Sequence, residues 1–450
     1  MSTVAAIATP NASGGISVIR ISGENALSAA SRVFKGKNPC EMKGYTCAYG
    51  YIHDNGEIID DVVLTVFKAP RSYTGEDVVE ISCHGGIFIT RQILRIILKN
   101  GAELAPAGEF TKRAFLNGKM SLTQAEAVMD IISAESSNEL KYAVSLHEGA
   151  CFRRIKNISG KIINILGSLS VWADYPDEDI PEVEPDTLRA NLAEICAELE
   201  KTSATYDYGR IIRKGINTAI VGRPNVGKST LMNCLSGFKR SIVTDIAGTT
   251  RDVVEESVRL GSLVLRLSDT AGIRNTDDEI EKIGVDIAYS RLDEADLVLA
   301  VFDCTSPLSA DDLKLVEKLK SKKAVAVINK SDEKSVIDMD FIRSNFKYYA
   351  EISAKDNVGI SCLSDCLEKM FINNDIPAEQ GIIANERQKI CVEKALQSVR
   401  NAAEALDNGE FLDAVTVLLD EALNSLLELT GERVTDTVVN DVFSRFCVGK

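Results

Sequence analysis

The chain has 450 residues, 45% of them hydrophobic and 26% charged, which is enough apolar material for buried cores in about three domains. Its formal net charge of -15 repels nucleic acid, so an RNA partner would need a local basic patch or presentation by another protein. No apolar run approaches the ~20 residues of a membrane span, and the N-terminus lacks the basic segment of a signal peptide. The 11 cysteines are scattered and odd in number, which argues against a disulfide framework. These features predict a soluble, reduced, cytoplasmic protein.

The first part of the chain, residues 1–118, alternates short strand-like runs with glycine-rich turns. Strands are predicted at 16–21, 62–67 and 78–82 from their β-branched residues. A helix is predicted after Gly85-Gly86, and Asn100-Gly101 ends it. This pattern is typical of an α+β domain.

Helix-forming residues dominate residues 119–210 and again 377–450, which together predict an all-α helical domain. Ser121-Leu-Thr-Gln124 can form a capping box at the start of the first helix. Residues 211–376 differ, because apolar strands at 218–221, 263–267, 297–302 and 324–328 alternate with amphipathic helices. The order predicts a Ras-like P-loop GTPase domain inserted into the helical domain, with the two ends of the insertion close together.

A phosphate-binding loop is predicted at Gly222-Arg-Pro-Asn-Val-Gly-Lys228-Ser229, between a strand and an amphipathic helix. Backbone N–H groups of such a loop surround phosphate oxygens at the positive end of the following helix. Lys228 neutralises charge near the β- and γ-phosphates, and the Ser229 hydroxyl is a Mg²⁺ ligand.

Three further motifs follow in order, each at the end of a strand. Asp269-Thr-Ala-Gly272 can hold Mg²⁺ through water and sense a γ-phosphate, while Asn329-Lys-Ser-Asp332 offers guanine a carboxylate that accepts from N1–H and N2–H₂. A surface turn is the alternative interpretation of the second tetrad taken alone. With Ser353-Ala-Lys355 the set predicts GTP binding by these residues: Asn225, Val226, Gly227, Lys228, Ser229, Thr230, Thr244, Asp245, Ile246, Ala247, Gly248, Thr249, Thr250, Asp269, Thr270, Ala271, Gly272, Asn329, Lys330, Asp332, Ser353, Ala354 and Lys355.

The chain departs from the Ras-like pattern where hydrolysis is concerned. Ile273 follows the Asp-Thr-Ala-Gly motif and cannot orient a water as a glutamine does. Glu281 is the candidate replacement, and a solvated helix start is the alternative interpretation of that residue. No arginine finger is evident, but Asn225 and the segment Thr244–Asp252 can surround a monovalent cation that supplies positive charge at the β–γ bridge.

Beyond these motifs, the chain contains further distinctive segments: Ala6-Ile-Ala-Thr-Pro10, Arg71-Ser-Tyr-Thr-Gly-Glu-Asp77, Cys83-His-Gly-Gly86, the run from Gly108 to Lys119, Leu122-Thr-Gln-Ala-Glu-Ala127, Gly248-Thr-Thr-Arg-Asp252 and Phe446-Cys-Val-Gly-Lys450. Through these segments the sequence resembles the tRNA-modifying GTPase family MnmE (TrmE) over essentially its whole length. Asn11-Ala-Ser-Gly-Gly15 departs from the family pattern, since it lacks the usual glycine and basic residue before Gly-Gly.

The resemblance implies a homodimer whose N-terminal domain binds 5-formyl-tetrahydrofolate or a related one-carbon folate. With the FAD-dependent partner MnmG (GidA), in a heterotetramer, it implies addition of an aminomethyl or carboxymethylaminomethyl group to C5 of the wobble uridine of certain tRNAs. The family's folate contacts correspond to Arg20, Glu80, Lys119 and Lys450, each of which would otherwise be interpreted as a solvated surface charge.

The same resemblance implies the metal and catalytic residues. Potassium ligands correspond to Asn225, Thr244, Ile246 and Thr249, and Mg²⁺ ligands to Ser229 and Thr250; Glu281 corresponds to the residue that positions the attacking water. Pairing of GTPase domains through K⁺ would activate hydrolysis. Cys447 matches the family's C-terminal cysteine, and both a nucleophilic role and simple packing remain open for it.

Two other functions fit part of the sequence. A ribosome-assembly GTPase is compatible with the central motifs, although the acidic composition and the lack of an obvious RNA-binding module disfavour it. A scaffold that uses GTP for dimerisation without hydrolysis is the other alternative.

Overall fold

The computed structural model describes residues 1–174, 184–237, 256–267, 295–371 and 381–450. These residues divide into two compact units, Met1–Met129 with Leu423–Lys450, and Asp130–Ala422. The four-part division drawn from the sequence is finer than this, so its boundaries stay a prediction. Among the described residues, no helix combines the length and the apolar character that crossing a membrane requires.

Strands and helices occupy most of the described residues. In chain order the strands are β1 (Val4–Ile7), β2 (Ile16–Ser22), β3 (Phe34–Lys35), β4 (Thr46–Asp54), β5 (Glu57–Phe67), β6 (Val78–His84), β7 (Glu103–Leu104), β8 (Ile216–Val221), β9 (Glu256–Leu260), β10 (Leu263–Leu267), β11 (Leu297–Asp303), β12 (Ala324–Asn329) and β13 (Tyr349–Glu351). The helices are α1 (Ala26–Val33), α2 (Ile87–Lys99), α3 (Glu109–Leu116), α4 (Leu122–Ser133), α5 (Ser137–His147), α6 (Ala150–Asp174), α7 (Pro185–Ser203), α8 (Tyr206–Lys214), α9 (Lys228–Gly237), α10 (Ala310–Leu319), α11 (Met339–Asn345), α12 (Ile360–Phe371), α13 (Glu386–Asp407), α14 (Leu412–Thr430) and α15 (Asp436–Ser444).

The first unit is built on a sheet with the strand order β3-β4-β5-β6-β2-β1-β7. Neighbouring strands are antiparallel except for β1 and β7. Ile19, Ile21 and Ile81 are fully buried in the core that this sheet shares with α1 and α2. Because side chains alternate between the faces of a strand, Arg20 and Glu80 project from the opposite face.

The C-terminal helix α15 belongs to the same unit and packs on α4. Val439 and Phe443 are buried with Leu122 and Ala125 in one apolar cluster. The predicted capping box at the start of α4 is confirmed, since the Ser121 N–H donates to Gln124 Oε1 at 2.9 Å and the Gln124 N–H donates to Ser121 Oγ at 3.3 Å. These contacts bring the last residues of the chain into the N-terminal unit.

In the second unit, α7 and α13 pack through apolar stripes and two ion pairs. The Arg400 guanidinium donates to Glu200 at 2.7 Å, and the Arg189 guanidinium donates to Asp407 at 2.7 Å. The segments that lead into and out of the α/β sheet lie together, as expected for an insertion. Thr205 Oγ1 accepts from the Ile383 N–H at 3.2 Å.

The α/β part of the second unit has the strand order β13-β12-β11-β8-β10-β9; among the described strands of this sheet, only β9 runs antiparallel to its neighbour. Its central strands are buried on both faces by helices, as continuous apolar runs predict. Loops at the carboxyl ends of parallel strands meet at one edge. That edge brings together the loops after β8, β11, β12 and β13.

Candidate functional site

The phosphate loop lies between β8 and α9, where the sequence predicts it. The Lys228 ammonium donates to Gly222 O at 2.8 Å and to Arg223 O at 2.9 Å, so its charge is held over the loop. Asn225 has a φ of 65°, a left-handed conformation that turns the backbone at the centre of the loop. Backbone N–H groups at the start of α9 and the Lys228 charge make this loop suitable for phosphate.

Gly227 and Asn329 meet at the centre of the site. Gly227 has a φ of 95°, and a Cβ added there would lie 2.2 Å from Asn329 Nδ2. The Asn329 amide is 3% exposed; it donates to Val226 O at 2.8 Å and accepts from the Ala354 N–H at 3.0 Å. Asn329 therefore joins the phosphate loop to the loop after β13, and glycine is required beside it.

The predicted guanine-recognition residue Asp332 is exposed on the loop after β12. Two hydrogen bonds lower the pKa of the Asp332 carboxyl. The larger effect comes from the Ser353 hydroxyl and the smaller one from the backbone N–H of Asp332 itself. The carboxylate is therefore ionised at neutral pH and able to accept from two N–H groups of guanine. The Ser331 N–H donates to Ile352 O at 3.0 Å, which holds this loop against the one that contains Ser353.

Several predicted site residues fall outside the described residues, and their positions stay predictions. They are the switch segment with Thr244, Asp245, Ile246, Ala247, Gly248, Thr249 and Thr250, the motif Asp269, Thr270, Ala271 and Gly272, and the candidate catalytic residue Glu281. Ser229 and Thr230 are described and lie exposed in the first turn of α9. Lys355 follows Ala354 and is exposed.

A second group of predicted site residues lies in the first unit, on the face of the sheet opposite its core. Arg20 on β2 stands directly across from Glu80 on β6. The Arg20 Nε donates to Glu80 Oε1 at 2.9 Å, and Nη2 lies 2.8 Å from the same oxygen. The guanidinium also lies 5.5 Å from the ring centroids of Tyr73 and Phe110, a cation–π arrangement that orients it.

The last residues of the chain complete this group, which we call the Arg20–Glu80 cluster (Arg20, Tyr73, Glu80, Phe110 and Lys450). Arg20 Nη1 donates to Gly449 O at 3.4 Å, and the Phe110 N–H donates to Lys450 O at 3.2 Å. Gly449 has a φ of 95°, and a Cβ there would lie 2.3 Å from Ile7 O. Burial is the main cause that lowers the pKa of the Lys450 ammonium, and the nearby Arg20 charge lowers it further.

Two other predicted residues of the first unit have different surroundings. The Lys119 ammonium is exposed and donates to Pro70 O, in the loop before β6, at 3.0 Å. Cys447 is half-buried, and its carbonyl accepts from the Gly108 N–H at 3.4 Å. In the atypical loop 11–15, the Gly14 N–H donates to Gly85 O at 2.9 Å.

Comparison with known families shows which family the chain belongs to. Residues 3–119 match the family described as the GTP-binding protein TrmE N-terminus, and residues 122–447 match the MnmE helical domain. The chain belongs to the MnmE family of tRNA modification GTPases. The predicted family and the predicted fold class are therefore confirmed, and as a member of this family the chain is a GTP hydrolase.

Relatives in the MnmE family match over the full length. A tRNA modification GTPase MnmE of Carboxydothermus hydrogenoformans is 42% identical over 457 residues, and that of Acetivibrio thermocellus is 40% identical over 455 residues. Each alignment covers 100% of this chain and 99% of the relative. Among solved structures, the G domain of the T. maritima FeoB iron transporter is 27% identical, with a TM-score of 0.26, over 34% of this chain and 97% of that chain.

Within this MnmE-family chain, the structure adds residues that sequence motifs did not indicate. Asp303, at the end of β11, pairs with Lys330 at 2.6 Å. Arg223 of the phosphate loop donates to Ser306 Oγ, and its Nε lies 3.8 Å from Asp312 Oδ2. Neither acidic residue belongs to a nucleotide motif, so the sequence held no signal for these contacts beyond the position of Asp303 at a strand end.

Proposed function

We propose that the chain uses GTP hydrolysis to drive modification of tRNA at the wobble uridine. With the FAD-dependent partner MnmG, it would add an aminomethyl or carboxymethylaminomethyl group to C5 of that base. Full-length similarity to proteins named tRNA modification GTPase MnmE is the observation that carries the proposal. The presence in one chain of a phosphate loop and the Arg20–Glu80 cluster supports it.

The Arg20–Glu80 cluster is proposed to bind 5-formyl-tetrahydrofolate or a related one-carbon folate. The chemistry of the residues fits, since a carboxylate such as Glu80 can accept from the amide edge of a pterin and Lys450 can pair with the glutamate tail. Glu80 is 27% exposed and Arg20 is 15% exposed, so both are accessible to a ligand. Lys119 is proposed to contact the outer part of the folate.

Replacing Arg20 by alanine is expected to weaken folate binding at least about tenfold, because a charge-assisted hydrogen bond and its orienting contacts are lost. Binding is also expected to weaken as the pH rises, and earlier than an ordinary lysine would allow, because the Lys450 ammonium loses its proton at a lowered pKa. Calorimetry with 5-formyl-tetrahydrofolate in neutral and alkaline buffer measures both effects. Arg32→Ala, at an exposed arginine of the same unit, is the matched control. Equal affinity in the two variants would contradict the folate assignment.

The nucleotide site is proposed to use Mg²⁺ and K⁺. Ser229, exposed at the start of α9, and Thr250 would hold Mg²⁺, which supplies charge neutralisation at the phosphates. Asn225, whose φ of 65° places it at the turn of the phosphate loop, would ligate K⁺ with Thr244, Ile246 and Thr249. K⁺ would supply positive charge at the β–γ bridge, and Glu281 would orient the attacking water.

The proposed assembly is a homodimer that joins MnmG in a heterotetramer in the cytoplasm. Because the chain carries a net charge of -15, we propose that the partner presents much of the surface that the tRNA phosphates contact. GTPase domains that pair in the presence of K⁺ would couple hydrolysis to the folate and tRNA centre. The role of Cys447, half-buried beside the cluster, is proposed as lining of the folate site.

Reconstitution with purified components tests the proposal. The chain, an FAD-dependent MnmG, GTP, Mg²⁺, K⁺, a folate donor and unmodified tRNA are incubated together, and the tRNA nucleosides are analysed by mass spectrometry. A C5-substituted wobble uridine that requires every component and is lost when Na⁺ replaces K⁺ is the expected result. GTP hydrolysis without any C5 product would contradict the assignment, and GTP-dependent co-sedimentation with ribosomal subunits would favour the ribosome-assembly alternative.

A further inference from the structure

The end of β11 and the residue that follows it contact the guanine-recognition loop at two points. Asp303 Oδ2 accepts from the Lys330 ammonium at 2.6 Å, and the Cys304 thiol donates to Lys330 O at 2.9 Å. Asp303 is 11% exposed and Cys304 is 2% exposed, so the two groups that contact Lys330 are largely buried, while the Lys330 side chain itself is 34% exposed. Lys330 is thus held at its side chain by the last residue of β11 and at its backbone by the residue that follows β11.

Lys330 has a backbone conformation that needs support from its surroundings. Its φ is 66°, a left-handed conformation that is unfavourable for a residue with a side chain, and it lies between the buried Asn329 and the exposed Asp332. A residue in this conformation persists when its surroundings hold it there. A change at Lys330 would reorient the backbone that presents the Asp332 carboxylate.

The Asp303 carboxylate is itself held in place by Thr305. Its Oδ1 accepts from the Thr305 N–H at 2.9 Å and from the Thr305 hydroxyl at 2.6 Å, while Oδ2 faces Lys330. Partial burial raises the pKa of the Asp303 carboxyl, but the hydrogen bonds from Lys330 and Thr305 outweigh it, and the pKa is lowered overall. The carboxylate is therefore charged and oriented at neutral pH.

We propose that Asp303 is a positioning residue for guanine recognition, which acts through Lys330 to hold Asp332 in the orientation that accepts from the base. No nucleotide motif contains Asp303, and it is distinct from the residues expected to touch GTP. The inference rests on the GTP site proposed above. It predicts a role in selectivity between guanine and hypoxanthine, because hypoxanthine lacks the N2–H₂ group that the second bond to Asp332 needs.

The test compares GDP and IDP binding, using fluorescent analogues, for wild type, Asp303→Asn, Lys330→Met and the double variant. Asp303→Asn keeps an acceptor for Thr305 but removes the negative charge that faces the Lys330 ammonium. We expect its GDP dissociation constant to rise about tenfold, and the preference for GDP over IDP to fall by about the same factor. In steady-state hydrolysis the loss is expected in KM and not in kcat, because the contact is made equally in ground and transition states.

The double variant tests whether Asp303 acts through Lys330. If it does, Asp303→Asn adds little to the loss caused by Lys330→Met, so the two effects are strongly non-additive. Asp311→Asn is the matched control, since Asp311 is an exposed aspartate nearby whose partner is the exposed Lys314. Thermal unfolding of each variant separates loss of folding from loss of recognition.

Two results would overturn the inference. One is an Asp303→Asn variant whose GDP affinity and preference for GDP over IDP equal those of the control Asp311→Asn. The other is a double variant in which the losses of GDP affinity caused by Asp303→Asn and Lys330→Met add. Failure of the wild type to bind GDP would instead reject the proposed GTP site, so the two failures are distinguishable.

Discussion

Replacement of Lys228 by alanine is expected to lower the GTP turnover number by on the order of 10²- to 10³-fold, the usual cost of removing a charged group that stabilises a developing anion. The Lys228 ammonium already lies 2.8 Å and 2.9 Å from two carbonyl oxygens of the phosphate loop. A bound nucleotide therefore meets a cation that needs little rearrangement. Alanine removes this charge at the β- and γ-phosphates, where no water can replace it with the same orientation.

Phosphate release under saturating GTP, Mg²⁺ and K⁺ measures the effect of Lys228→Ala. Lys314→Ala, at a lysine whose side chain is 73% exposed in the same sheet-and-helix region, is the matched control and is expected to keep wild-type turnover. Circular dichroism of both variants is the check that they fold. A Lys228→Ala variant with near-normal turnover would reject the assignment of this loop to phosphate.

Replacement of Gly227 by alanine is expected to abolish nucleotide binding and to destabilise the α/β region by about 2–4 kcal/mol. The new Cβ would lie 2.2 Å from Asn329 Nδ2 on a backbone with a φ of 95°, so both overlap and strain arise. Relief requires Asn329 to move, which breaks its bonds to Val226 and Ala354. Since these bonds join three loops of the site, the damage extends beyond the phosphate loop.

Urea unfolding and titration with a fluorescent GDP analogue measure the two parts of this prediction. Gly237→Ala is the control, because Gly237 lies at the end of the same helix α9 and a Cβ there would meet no atom of a non-neighbouring residue within 4 Å in the part of the chain that the structure describes. That variant is expected to be neutral or slightly more stable than wild type. Wild-type affinity of Gly227→Ala for the GDP analogue would show that nucleotide binding does not depend on the observed position of Asn329.

Much of the nucleotide site was predictable from the sequence because its motifs are local. Gly222 to Ser229 needs only a strand before it and a helix after it, and both were evident as apolar patterns. The loops with Asp332 and Ser353 follow strands of one parallel sheet, so their meeting at one edge follows from the fold class. The structure places them there, while the switch segment and Glu281 remain outside the described residues.

Contacts between distant parts of the chain were not predictable in the same way. Arg20 and Glu80 are 60 residues apart, and their pairing depends on the register of β2 against β6. The resemblance named both residues, but neither periodicity nor spacing placed them together. Asp303 was missed because it acts through Lys330, and a residue that acts through another leaves no local motif. The sequence pattern indicates strand β4 only weakly, because Tyr49 and Tyr51 are exposed and its apolar alternation is weak.

We conclude that this GTPase serves the modification of tRNA, and the nucleosides of cellular tRNA provide the sharpest test of that claim. A strain without the gene is complemented with wild type, Lys228→Ala or Lys314→Ala, and its tRNA nucleosides are analysed by mass spectrometry. We expect C5-substituted wobble uridine to be absent from the deletion strain and from the Lys228→Ala strain, and restored by wild type and by Lys314→Ala. Full modification in the strain without the gene would contradict the claim.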